Sequence, residues 1–161
     1  MEDLKISKNM SETRPLARIS AIYDFVYNRV QLTEFAPGNS SAIAPAGSAD
    51  VVLTFRNLHN WYGNGGDEGM LAIFKDFYKA LKPGGVLGVV EHRLPADKMT
   101  GDWQKSGYFP QALTVSLAEQ AGFVFEAASE INANPKDTAD HPGGVWTLPP
   151  VLRLKEQDKD K

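Results

Sequence analysis

The chain has 161 residues, of which 42% are hydrophobic and 23% charged, a balance that predicts one domain around one core and excludes disorder throughout. With 17 Lys and Arg against 20 Asp and Glu, the net charge of -3 provides no basic excess to hold phosphates, so nucleic acid is not the expected partner. Cysteine is absent, which excludes a disulfide scaffold, a thiolate metal site and a cysteine nucleophile together.

The first ten residues are polar, without an apolar run of signal-peptide length, and no stretch approaches the roughly 20 apolar residues of a membrane span. A soluble, cytoplasmic protein is the expectation. Thr13 can cap a helix reaching about Asn28, with Pro15 in its first turn and Leu16, Ile19, Tyr23 and Val26 on one stripe. Val30 to Thr33 reads as a short strand ending before Pro37 and Gly38, and Asp50 to Phe55 as a strand buried on both faces. Asp67 and Glu68 open a helix with Met70, Phe74, Phe77 and Leu81 on one stripe, and Lys82-Pro83-Gly84-Gly85 is its stop. Val86 to Val90 follows as another buried strand, so the unit is a parallel βαβ. A helix from about Pro110 to Ala121, ended by Gly122, leads to a strand from Phe123 to Ala128. A final strand is expected at Val151 to Leu154, where the preceding Pro149-Pro150 suits an edge that could run antiparallel. Residues 1–155 would then form a single α/β domain with a mostly parallel sheet of about five strands, and 156–161 a solvated tail.

Open α/β sheets bind ligands beyond the carboxyl ends of their strands, so residues just after each strand carry the functional expectation. Those are Glu34 and Phe35, then Arg56 to Tyr62, then Glu91, His92 and Arg93. Two of the three histidines, His59 and His92, follow consecutive parallel strands and should share one side of the sheet. Either would serve as a general base; either could equally cap a loop. A metal-dependent hydrolase using His59, His92 and Glu91, with His141 and Asp140, lacks any H-x-x-x-H or H-x-H spacing to fix two ligands on one element. The segment from Ser129 to Gly144 is long for a connection, and its Asn132, Asn134, Lys136, Asp137 and His141 could form a substrate lid or merely turns.

Ala49-Asp50-Val51-Val52-Leu53-Thr54-Phe55, the helix after it, and Ala80-Leu81-Lys82-Pro83-Gly84-Gly85-Val86-Leu87 resemble the second half of class I S-adenosylmethionine-dependent methyltransferases. The runs Phe55 to Tyr62, Val90 to Arg93, Ala121 to Phe123, Glu130 to Pro135 and Gly144 to Pro150 are similar to a bacterial group of predicted methyltransferases, from about Val30 to Leu154. The resemblance implies a Rossmann-like fold, a small-molecule methyl acceptor and S-adenosylmethionine as cofactor. It places Glu34 and Phe35 by the adenine, Phe55, Arg56 and Asn57 by the methionine part, and His59 or His92 as the base. Trp61 and Tyr62 offer aromatic faces to the sulfonium cation.

The class binds its cofactor chiefly through a glycine-rich turn, yet G-x-G-x-x-G occurs nowhere; Gly63-Asn64-Gly65-Gly66 and Gly84-Gly85 stand in the wrong context for it. The resemblance therefore implies a truncated domain without the class's two central strands, and the flank of the Asp50 strand needs a cover. Pairing with the Val30 strand is the structural expectation. A second copy forming a homodimer, or an upstream segment, are the alternatives. A non-catalytic interaction module that uses this edge is the competing function.

Overall fold

Strand β1, Ala49–Phe55, forms where seven residues contain four β-branched or aromatic side chains and no glycine or proline. Helix α1, Leu58–Ala80, and strand β2, Leu81–Val90, complete a parallel βαβ unit in an α/β fold. The computed structural model describes residues 29–35, 42–99 and 101–155. The expected helix from Thr13 to Asn28 and the tail at 156–161 lie outside them. The chain divides into two units, Met1–Thr33 and Glu34–Lys161, and the βαβ unit belongs wholly to the second.

β1 and β2 pair in register from Val51 with Val86 to Phe55 with Val90. The register slips between Ala49 and Val51, where the Lys82-Pro83-Gly84-Gly85 turn enters the strand. Gly84 has a φ of 79°, and a Cβ on Gly85 would sit 2.9 Å from Leu81 Cδ2 and 3.1 Å from the Asp50 carbonyl oxygen, so the turn lies against β1 only without side chains. Lys82 Nζ meets Asp50 Oδ1 at 2.6 Å across this join.

α1 starts nine residues earlier than Asp67. Gly66, at φ 56° and ψ -153°, is non-helical and divides it, and the segment after this kink is the helix whose periodicity the sequence displays. Its stripe supplies the core: Leu58, Met70, Ile73, Phe74 and Phe77 pack with Phe109 and with Leu117 of helix α2, Gln111–Gln120.

Three expected strands are absent among the described residues. Residues 30–33, the run expected to pair with β1, form none, and β1–β2 is the whole described sheet. Residues 123–128 form no strand, with Val124 88% exposed. Apolar β-formers become a strand only where another edge accepts their backbone groups. Residues 151–154 turn instead, with Leu152 at φ 47° and its N–H donating to the Leu148 carbonyl at 3.1 Å. No helix among the described residues is long and apolar enough to cross a membrane.

Phe74 is fully buried at the centre of this core. Phe74→Ala should lower stability by about 3–5 kcal/mol, the range for deleting a buried aromatic side chain, as read by urea titration.

Candidate functional site: a histidine rim and an edge pocket

At the carboxyl end of β1 the chain makes an abrupt turn. Arg56 adopts a φ of 54°, unusual for a residue with a side chain, while its N–H still donates to the Val90 carbonyl at 2.7 Å. α1 begins two residues later without a side-chain cap from Asn57. The cap comes from β2's end instead: Glu91 Oε2 accepts the Leu58 N–H at 2.9 Å, and Oε1 accepts the His92 N–H at 2.9 Å. A carboxylate at a helix N-terminus is favoured by the dipole as well as by the orphan donor it satisfies.

The same carboxylate holds a histidine. His59 Nδ1 lies 3.1 Å from Glu91 Oε1, both side chains being less than a tenth exposed. The contact is electrostatic, since the ring nitrogen is not aligned for a hydrogen bond. Trp146 closes the other side, its ring edge-on to His59 at 5.9 Å. His92 shares this rim, within electrostatic range of Glu91, Arg56, His59 and Asp137. Burial pushes the His92 imidazole below its ordinary value, and Arg56 and His59 add to that, outweighing the opposite pull of Glu91 and Asp137.

The chain after β2 brings a second group to the rim. Arg93 bridges Phe109, and the Phe109 N–H donates to the His92 carbonyl at 2.7 Å, which sets the Tyr108 ring edge-on to His92 at 5.9 Å. The Tyr108 hydroxyl donates to Asp137 Oδ1 at 2.7 Å. That oxygen also accepts the Ala139 N–H at 2.9 Å and contacts His141 Nε2 at 3.0 Å. Burial would raise the Asp137 carboxyl, but these partners together hold it below the usual range; burial and the facing carboxylate push the Tyr108 phenol far up.

A separate pocket of about 370 Å³ runs along β1, lined by Phe35, Ile43, Val52, Leu53, Thr54, Phe55, Asn57, Trp61 and Phe77. Four consecutive strand residues line it although their side chains alternate between faces, which identifies it as a groove over the strand's edge. Phe35, Trp61 and Phe77 form an aromatic triangle with centroids 5.7 to 5.9 Å apart. Thr54 is 4% exposed, and its Oγ1 has no hydrogen-bond partner.

The residues expected from the sequence thus fall into two places. His59 and His92 meet at the rim; Phe35, Phe55, Asn57 and Trp61 line the groove. Glu34 lines neither, and Arg56 reaches the rim only through its charge on His92. Tyr62 turns to Trp103 and Phe109 with its hydroxyl on Asp67. Sequence reasoning missed the Tyr108 and Trp146 contacts and the orphaned Thr54, none of which has a spacing to betray it. Among the described residues no three His, Asp or Glu side chains come together to hold a metal ion. No family model, curated protein or solved structure matches the chain.

Because the folded state holds His92 neutral at a pH where the unfolded chain binds a proton, stability should rise with pH through the window just below the ordinary imidazole value of about 6.5. His92→Gln should flatten that part of the profile in denaturation measured across pH.

Proposed function

We propose that the chain is a methyltransferase-like protein of the class I, Rossmann-like type, taking S-adenosylmethionine in the edge groove and a small-molecule acceptor at the histidine rim. The observation that carries this reading is the groove lined by Phe35, Phe55, Trp61 and Phe77, which adjoins, through Asn57, the start of α1. The donor set suits this cofactor: Phe35, Phe55 and Trp61 present apolar faces to an adenosyl group and to a sulfonium cation, and Asn57 presents a hydrogen-bonding group.

When bound, S-adenosylmethionine supplies a methyl group on a positively charged sulfur. The chain's own residues do the rest. His92, held neutral by burial, is a proton acceptor for a hydroxyl or amine nucleophile, and His59 is kept in place by Glu91 and Trp146.

Calorimetry with S-adenosylmethionine and S-adenosylhomocysteine tests the reading. Binding that Trp61→Ala and Phe35→Ala abolish is expected; no heat and no thermal shift at millimolar ligand would sink it.

A second reading, a non-catalytic interaction module, is favoured by one observation: Val51, Leu53 and Phe55 of β1 are 53%, 60% and 55% exposed, an apolar row beside an edge with no described strand partner. It predicts a mass in solution that rises with concentration, by equilibrium sedimentation, and a monomeric mass at every concentration counts against it.

A further inference from the structure

Tyr108, Asp137 and His141 form a unit that the proposed chemistry leaves unused. Three partners converge on one carboxylate oxygen, and they come from separate stretches of chain: Tyr108 from the connection before α2, Ala139 and His141 from the long segment after it. Tyr108 and His141 are both buried. A carboxylate satisfied three times over on one oxygen, next to a buried phenol, is a costly arrangement to build for a surface turn. Its position explains it, since the Tyr108 ring packs on His92, and Asp137 acts electrostatically on the same imidazole.

The rest of the segment is tied down around it. The Val145 N–H donates to the Ser106 carbonyl at 2.8 Å, and Gly144, at φ 60°, lies so close to that carbonyl that a Cβ could not be accommodated. Lys98 bonds the Thr138 carbonyl and pairs with Asp140 at 3.3 Å.

We propose that Asp137 is a positioning residue of the histidine rim, which clasps the segment at 129–148 to Tyr108 as a fixed wall beside His92. The wall is therefore not a lid that opens for substrate. This holds whichever ligand the groove takes, and its test requires no turnover.

The groups facing His92 are Glu91 and Arg56 at the strand ends, His59 on α1, and Tyr108 and Asp137 from the later connections. Asp137→Asn removes the wall carboxylate whose charge acts on His92, so the His92 titration midpoint, followed by NMR of the imidazole, should fall. Asp140→Asn removes an equal charge from the same segment but from a carboxylate bonded to Thr138 and Lys98, and should leave that midpoint in place. Limited proteolysis between 129 and 144 should accelerate in Asp137→Asn and in Tyr108→Phe, and stay slow in Asp140→Asn.

Should Asp137→Asn not fold, Tyr108→Phe and hydrogen exchange of the Ala139 amide in the unaltered protein decide: a protected amide that Tyr108→Phe exposes supports the clasp, an amide exchanging at the open-chain rate overturns it. An unmoved His92 midpoint in Asp137→Asn, or a segment as resistant as the parent's, also overturns it. Failure of S-adenosylmethionine to bind leaves these results unaffected, so the two readings fail separately.

Discussion

Glu91 is the constraint on which the described site depends. One carboxylate at the end of β2 caps the first turn of α1, holds the backbone of the next residue and faces the ring of His59. β1 and α1 are joined by a strained residue and an uncapped Asn57, so little within that connection fixes where the helix starts. The carboxylate supplies the missing acceptor and ties strand to helix with one group. Losing it would leave the Leu58 N–H without its acceptor and the His59 ring without the charge that faces it, a larger disturbance than any single surface pair makes.

Much of the fold is legible in the sequence, and the reasons differ by element. The Asp50 run and the Val86 run are readable as strands because both are rich in β-branched and aliphatic residues, but the burial on both faces expected of them is not met, since Val51, Leu53, Phe55 and Val86 are about half exposed; the second half of α1 is readable because Met70, Phe74 and Phe77 repeat at helical spacing. The first turns of α1 are hidden by Gly63, Gly65 and Gly66, which read as a loop although only Gly66 leaves the helix. The runs at 123–128 and 151–154 have strand composition without strand partners, and composition does not report what lies alongside.

The site divides the same way. His59 and His92 can be placed together because both follow parallel neighbours by one or a few residues, a relation that topology alone fixes. Glu91 is visible as a polar residue, but not as the cap of a helix 33 positions away. Tyr108, Asp137 and Trp146 reach the rim through a bridge between Arg93 and Phe109 and a glycine packed on Ser106, contacts set by tertiary structure with no periodic trace.

The edge of β1 links the two halves of the site. In a sheet closed on both sides, Val52 to Phe55 would spend their backbone groups on a neighbouring strand, and no groove would remain beside Trp61 and Phe77. With that edge bare among the described residues, the strand offers backbone groups beside the rings of Phe35, Trp61 and Phe77 to whatever lies there, a few residues upstream of His59. An edge of this kind attracts either a ligand or another chain, and the two are not equivalent physically. A flat apolar row such as Val51, Leu53 and Phe55 rewards a partner by area, whereas a concave aromatic groove rewards a planar ring system that fills it. Phe35, Trp61 and Phe77 line a space of about 370 Å³, which fits a small molecule better than the face of a second chain.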